Sequence, residues 1–243
     1  GTFYNLDVSP EMVKGKKYNK DYFMNTSAAL IGALGSIVAA WHRIRSDQDP
    51  ISSNSESTYA ENFLLMLGAE KITPLMTRIM DATLVLHGEH TINASTFTAM
   101  VTSSTLANAS QVVASAIGSL SGPLHGGANE KVVSMLSKID SKDDIRPWLD
   151  DTLKAKNVVW GMGHREYSVK DPRANILTDM VQELFNEREG GVTDIFEKAI
   201  ELEKACEEKL AHKGVYPNVD FYSGILYKEM DIPTDIFTPI FAM

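Results

Sequence analysis

Cysteine is almost missing from this 243-residue sequence, in which Cys206 is the only one. A disulfide within the chain is therefore excluded, and we expect a reducing location: the cytoplasm, with the mitochondrial matrix as the alternative. Cys206 lies among charged, helix-forming residues, so we interpret it as a structural helix residue and not as a nucleophile.

Long apolar runs are missing as well. No stretch reaches the roughly eighteen apolar residues of a membrane-spanning helix, and no basic segment followed by an apolar core marks a signal peptide. The longest apolar stretch, Ala28–Trp41, contains glycines and a serine, and it predicts a buried helix. We therefore expect no membrane partner. Because no methionine precedes Gly1, we also expect that the native N-terminus lies elsewhere.

Positive charge is scarce, since 23 Lys and Arg residues face 32 Asp and Glu residues, giving a formal net charge of −9. Nucleic acid is disfavoured as a partner, because phosphate backbones need a basic surface. A few focused cations can still bind anionic metabolites. The 44% hydrophobic and 23% charged content is typical of a globular protein.

β-Structure is scarce in the pattern, and we predict an all-α fold. Asn157–Trp160 is the one short strand candidate, and the polar stretch 48–58 predicts a loop. Thr73-Pro74 is typical of a helix start. The predicted helical segments are Tyr22–Ile44, the helix from Thr73, Asn93–Leu120, Glu130–Ile139, Asp144–Lys156, Ala174–Asn186, Thr193–Lys213 and Phe221–Glu229.

Three turns carry residues capable of acid–base chemistry. His125 lies in a Gly-Pro-Leu-His-Gly-Gly turn before a predicted helix, where glycines allow close approach of a ligand. The alternative is a packing turn whose histidine caps that helix. His164 and Arg173 lie close in sequence and suit a carbonyl and a carboxylate, although the alternative for the arginine is a solvated surface charge.

Asp220 follows Tyr-Pro-Asn-Val and precedes a predicted helix. Apolar neighbours would desolvate its carboxylate and raise its pKa, which suits a general base. The alternative is that Asp220 is the N-cap of the helix.

Two other motifs are rejected. The glycines of Gly161-Met162-Gly163 lack the third glycine and the strand–helix context of a dinucleotide loop. The pair His87 and His90 lacks the spacing of a zinc protease and has no nearby cysteine, so we predict no metal site.

In their order and spacing, these motifs resemble the citrate synthase family along essentially the whole chain. The resemblance is carried by Glu-His-x-x-Asn-Ala-Ser-Thr at 89–96, Gly-Pro-Leu-His-Gly-Gly-Ala-Asn-Glu at 122–130, Gly-x-Gly-His-Arg-x-Tyr at 161–167 with Asp-Pro-Arg at 171–173, and Pro-Asn-Val-Asp at 217–220. Glu89 stands where many members have Asp, a change found in relatives that accept propionyl-CoA.

The resemblance implies condensation of acetyl-CoA with oxaloacetate to citrate, by enolisation, aldol-type addition and thioester hydrolysis. The alternatives are a 2-methylcitrate synthase that uses propionyl-CoA and a catalytically inactive helical scaffold. His125 would donate to the thioester carbonyl, Asp220 would remove the α-proton and His164 would protonate the ketone. His90 and Arg173 would hold oxaloacetate.

The resemblance further implies contacts with CoA from Val158, Val159, Trp160, Gly161, Met162 and Gly163, and no cofactor beyond the thioester substrate. It implies two helical domains with the active site in the cleft: 1–122 in a large domain, 123–218 a small domain, and 219–243 a return to the large one. A homodimer is implied, with Asn25–Ala40 and Ala94–Ala116 as candidate interface elements.

Family members continue beyond the positions of both Gly1 and Met243, and two substrate-binding arginines follow the latter. We therefore expect that the chain is truncated at both ends and that these 243 residues alone are inactive or nearly so.

Overall fold

The structure is a computed structural model and describes residues 20–88, 91–122, 125–164, 167–187 and 191–243. Within those ranges the only β-pairing is one isolated antiparallel bridge between Met162 and Pro217. The predicted all-α fold is confirmed.

The α-helices of the described residues, in chain order, are α1 (Lys20–Arg45), α2 (Tyr59–Leu67), α3 (Pro74–Gly88), α4 (Ala94–Ser104), α5 (Ala109–Leu120), α6 (Ala128–Leu136), α7 (Ile145–Lys154), α8 (Pro172–Glu187), α9 (Asp194–Leu210), α10 (Val219–Glu229) and α11 (Phe237–Ile240). Short 3-10 turns cover Lys142–Asp144, Ala211–Lys213 and Thr234–Ile236.

Local capping chemistry sets several helix starts. The Thr73 hydroxyl accepts a hydrogen bond from the Met76 backbone N–H at 3.1 Å, which confirms the predicted start of α3. The predicted segment Asn93–Leu120 is two helices, because Asn108 and Gln111 form a reciprocal capping box that begins α5. The polar stretch 48–58 is a loop, as predicted.

The predicted strand Asn157–Trp160 is wrong. This segment has no strand partner among the described residues, and Val158 is 63% exposed. A strand needs a second segment to pair with its backbone, which local β-propensity does not supply.

Backbone contacts divide the chain into two compact units. Unit 1 comprises Gly1–Ile72, His87–Gly126 and Thr238–Met243, and unit 2 comprises Thr73–Leu86 and Gly127–Phe237. The domain limits 1–122, 123–218 and 219–243 remain a prediction.

Helix α10 is the central helix of unit 2. It packs on α6 and α8, and eight of its residues are buried around its circumference. Gly224 allows the approach to α6, since a Cβ there would lie 2.5 Å from the carbonyl oxygen of Asn129. Residues at the start of α10 are thus held on a rigid element.

In unit 1, α1 packs on α2. The Tyr59 hydroxyl lies against Gly35 and donates to the Ile31 carbonyl at 2.8 Å. The segment Ala28–Trp41 is helical, as predicted. The prediction that it is buried is wrong, because Ile37 is 52% and Trp41 60% exposed.

By length and composition alone, Met24–Arg45 is apolar enough to cross a membrane, with a mean hydropathy of 1.3. Core helices of soluble proteins and signal sequences also meet this criterion. The glycines and serines of this stretch interrupt its apolar run, so a count of uninterrupted apolar residues kept it below the membrane-span length although its average hydropathy is high.

Candidate active site

His125 is held by Ser95 within unit 1. The Ser95 backbone N–H lies 3.2 Å, and its hydroxyl 2.7 Å, from Nε2 of His125. A backbone N–H can only donate, so Nε2 is an acceptor and the proton of the neutral ring lies on Nδ1. His125 therefore offers an Nδ1–H donor.

The backbone around His125 is tightly packed. The Gly126 N–H donates to the Leu120 carbonyl at 3.0 Å, and a Cβ on Gly126 would lie 2.3 Å from that oxygen. Gly127 caps α6 with φ of 81°, and no side chain caps this helix. The alternative role of His125 as a helix cap is therefore wrong.

His164, Asp171 and Arg173 form a connected group within unit 2. The Arg173 guanidinium lies 3.3 Å from Nε2 of His164 and pairs with the Asp171 carboxylate at 2.8 Å. Because a guanidinium only donates, Nε2 of His164 accepts this bond. The Tyr167 ring lies 4.8 Å from the His164 ring. Arg173 is thus a part-buried cation beside an imidazole, which suits a carboxylate next to a carbonyl.

Asp171 is fully buried at the start of α8 and also accepts from the Arg173 backbone N–H at 2.9 Å. Burial raises the pKa of Asp171, but hydrogen bonds from Arg173 outweigh that effect and hold the pKa below its ordinary value. Asp171 is therefore an anion that orients Arg173.

Asp220 lies in the first turn of α10, partly buried. Burial raises its pKa to about 6, against the opposing charge of Arg173 and with a further increase from Asp171. The predicted raised pKa is confirmed. The alternative that Asp220 caps the helix is wrong, because Asn218 is the N-cap and accepts from the Asp220 N–H. The carboxylate of Asp220 is therefore not used as the cap.

The segment Val158–Gly163 is anchored by its backbone. The Gly163 N–H donates to the Tyr216 carbonyl at 2.7 Å, and the Asn218 N–H donates to the Gly161 carbonyl at 2.9 Å. Both glycines have positive φ, and a Cβ on Gly161 would lie 2.7 Å from the Val132 side chain. Contact of this segment with CoA remains a prediction.

Besides the predicted CoA-binding segment, unit 2 thus contains three of the predicted catalytic and oxaloacetate-binding residues: His164, Arg173 and Asp220. Arg173 lies close enough to each of the others to affect it, by a direct contact in one case and by its charge in the other. His125 belongs to unit 1. The predicted substrate ligand His90, with Glu89, lies outside the described residues.

Sequence reasoning missed the parts played by Ser95, Asp171 and Asn218. Asp171 precedes a proline at a helix start, which is a local signature of a capping acid. Ser95 belongs to the motif at 89–96, but its contact with His125 spans thirty positions.

Cys206 was predicted to take no part in chemistry, and His87 was predicted not to bind a metal. Cys206 is buried in α9, and burial, followed by the nearby Glu203, raises the pKa of its thiol to about 12. That agrees with the predicted structural role, because a thiolate is strongly disfavoured. The His87 ring lies 4.7 Å from the Phe241 ring.

The family model described as "Citrate synthase, C-terminal domain" matches residues 3–243. The chain belongs to the citrate synthase family. It is 49% identical over 222 residues to a citrate synthase of Synechocystis sp., covering 91% of this chain and 55% of that protein.

Solved citrate synthases share the fold. The enzyme of Pyrobaculum aerophilum is 33% identical with a TM-score of 0.87, over 96% of this chain and 58% of that one. The structure from Thermoplasma acidophilum, a ternary complex with carboxymethyl coenzyme A and oxaloacetate, is 30% identical with a TM-score of 0.84, over 95% and 61%. The chain thus spans between half and two thirds of the length of these relatives.

Proposed function

We propose that this protein condenses acetyl-CoA with oxaloacetate and hydrolyses the product thioester to citrate and CoA. The observation that carries the proposal is Asp220, whose carboxyl has a pKa of about 6 and lies within the electrostatic reach of the Asp171–Arg173 pair. A base that titrates near neutrality next to an anion-binding arginine is what α-proton abstraction beside a dicarboxylate requires.

In the proposed first step, the Asp220 carboxylate takes a proton from the α-carbon of the thioester. The electron pair moves to the thioester oxygen, where the Nδ1–H of His125 donates. A donor aimed at a developing oxyanion is worth roughly 3 kcal/mol in acyl-transfer sites. The Ser95 contact supports this role, because it keeps the His125 proton on Nδ1.

In the second step, the enol carbon attacks the ketone of oxaloacetate, forming a carbon–carbon bond as the ketone π-pair moves to oxygen. His164 donates a proton to that oxygen, and Arg173 pairs with a substrate carboxylate. Water then attacks the thioester carbon, and CoA leaves as a thiol. The Thermoplasma acidophilum relative was crystallised with oxaloacetate and a coenzyme A derivative, which supports both substrates.

The test is thiol release from acetyl-CoA, with and without oxaloacetate, in the protein at its full natural length. Oxaloacetate-dependent release is expected. Asp220→Asn should lower kcat by about 10² to 10⁴ fold, the range for loss of a general base, while the circular dichroism spectrum is retained. Release without dependence on oxaloacetate, or an unchanged Asp220→Asn rate, contradicts the proposal.

Comparing kcat/KM for acetyl-CoA and propionyl-CoA tests the acyl group. One methylene is worth about 1–3 kcal/mol of discrimination. We expect the acetyl thioester to be preferred, and preference for the propionyl thioester would make the protein a 2-methylcitrate synthase.

We also propose that the protein is a homodimer. No residue of α4 or α5 is buried in the described chain, although both helices are rich in apolar residues. Met100 and Val101 are 51% and 53% exposed, and Trp41 of α1 is 60% exposed. A second copy that covers these faces would remove apolar area from water.

A further inference from the structure

Asn218 has a carboxamide that bonds to the backbone on two sides. Its Nδ2 donates to the Gly163 carbonyl at 2.8 Å, and its Oδ1 accepts from the Asp220 N–H at 3.0 Å. A carbonyl only accepts and an amide N–H only donates, so the orientation of the carboxamide is fixed by its partners.

The two bonded groups belong to the peptides that carry His164 and Asp220. The Gly163 carbonyl is part of the peptide that leads into His164, and the Asp220 N–H is part of the peptide that leads into Asp220. Because peptide units are planar, holding one atom of each restricts the direction in which the chain enters the next Cα. One rigid side chain therefore links the backbone supports of both residues.

The neighbouring backbone bonds do not replace this link. They join the Gly163 N–H to Tyr216 and the Asn218 N–H to Gly161, but neither uses the Gly163 carbonyl. Gly163 has a φ of 87° and no side chain, so rotation of the following peptide is resisted less than in other residues. The Asn218 amide is the contact that restrains it.

We propose that Asn218 is a positioning residue that sets the direction of His164 relative to Asp220. This inference rests on the proposed function, in which Asp220 removes a proton from the carbon that attacks and His164 protonates the oxygen of the ketone that is attacked. Misplacement of a catalytic group by about 1 Å can cost about 100-fold in rate.

The test replaces Asn218 with Ser, which is also a good N-cap and keeps an oxygen for the Asp220 N–H, but removes the donor to Gly163. We expect kcat to fall by about 10 to 100 fold. The KM for oxaloacetate should stay within about twofold, because the Asp171–Arg173 pair makes no bond to Asn218.

Asn62 provides a matched control. Its carboxamide also bridges backbone groups, donating to Asn54 and Ser57 and accepting from the Asn54 N–H, and it lies in α2 of unit 1. Asn62→Ser removes the same chemistry in the unit that does not contain His164 or Asp220, so its kcat should equal that of the wild type even if its melting temperature falls.

A second variant covers the case in which Asn218→Ser does not fold. Asn218→Asp keeps the shape and the cap but places an oxygen against the Gly163 carbonyl, so we expect a comparable loss of kcat. The proposal would be overturned if the folded Asn218 variants kept a kcat within twofold of the wild type. It would also be overturned if Asn62→Ser lost as much kcat as they do.

The ¹⁵N NMR signals of the His164 ring give a readout that needs no turnover. They should shift in the Asn218 variants and not in Asn62→Ser, and unshifted signals count against positioning. If the wild type releases no thiol, the proposed function fails, while the His164 signals still decide whether Asn218 positions this residue.

Discussion

At the scale of single residues, the Asp220 carboxyl links pH to stability. Its pKa of about 6 in the folded protein lies above the ordinary value of 3.8, so the folded state binds this proton more tightly than the unfolded chain. The contribution to stability is complete below about pH 4 and is lost as the pH rises through about 6. The difference between these two pKa values corresponds to roughly 3 kcal/mol.

Asp220→Asn should therefore be more stable than the wild type at pH 8, by up to about 3 kcal/mol, and nearly equal to it at pH 4. Urea unfolding of both proteins at the two pH values measures the difference. The reason is that asparagine mimics the neutral carboxyl at every pH.

Asp150 supplies a control of opposite sign. A hydrogen bond from Lys209 holds its pKa below the ordinary value, against the smaller effect of desolvation. Asp150→Asn should thus be no more stable than the wild type at pH 8. If Asp220→Asn were less stable than the wild type at pH 8, burial would not disfavour the charged form of Asp220.

The sequence around Asp220 predicts its chemistry but not its supports. Apolar neighbours in the sequence predicted the raised pKa, and burial in the folded protein is its first cause. The N-cap alternative was placed on Asp220 and missed Asn218, although an asparagine two positions earlier is an equally good N-cap residue. The distant contacts of Asn218 with Gly163, and of Ser95 with His125, depend on the tertiary fold.

At the scale of elements, helix starts could be predicted from local chemistry, whereas the predicted strand was wrong. Thr73 and Pro74 predict the start of α3 because the cap and the restricted φ of proline act within one turn. The segment Asn157–Trp160 has β-propensity, but pairing needs a partner chosen by the whole fold. The division of 93–120 into two helices was missed because Asn108 stands between two alanines, which are good helix formers.

In unit 2, Lys170 of the segment before α8 forms a cluster with Glu203 of α9 and Tyr222 of α10. The Lys170 ammonium lies 2.5 Å from the Glu203 carboxylate of α9, and the Tyr222 hydroxyl of α10 donates to the same carboxylate. Lys170 also lies 5.5 Å from the centre of the Tyr222 ring. The cluster ties the segment before Asp171 to both helices.

Glu203→Gln should destabilise the protein by about 2 kcal/mol, because it leaves the part-buried Lys170 ammonium without its counter-charge. Lys170→Met should remove much of that cost when it is combined with Glu203→Gln. Urea unfolding of the wild type, both single variants and the double variant gives the coupling, expected to be about 1–2 kcal/mol.

The exposed pair Lys154 and Asp151 is the matched comparison, with a distance of 3.4 Å and side chains 77% and 81% exposed. Solvent screens such a pair, so its coupling should be close to zero. Equal coupling in both cycles would contradict a structural role for the Lys170–Glu203 pair.

At the scale of the whole molecule, the distribution of apolar surface distinguishes the two units. Unit 2 buries the whole circumference of α10, whereas unit 1 leaves α4 and α5 without a buried residue in the described chain. Contiguous exposed apolar residues favour association, so these two helices support the proposed dimer.

Val101→Glu should therefore convert the proposed dimer to a monomer. Val101 lies on α4 and is 53% exposed in one chain, and a buried carboxylate without a partner would cost about 3 kcal/mol or more, which raises Kd at least about 100-fold. Sedimentation equilibrium of the natural-length protein should give twice the chain mass for the wild type and the chain mass for the variant. Ile176→Glu, at an apolar residue of α8 that is 44% exposed, should remain dimeric. A monomeric wild type, or a dimeric Val101→Glu, would show that another partner or none covers these helices.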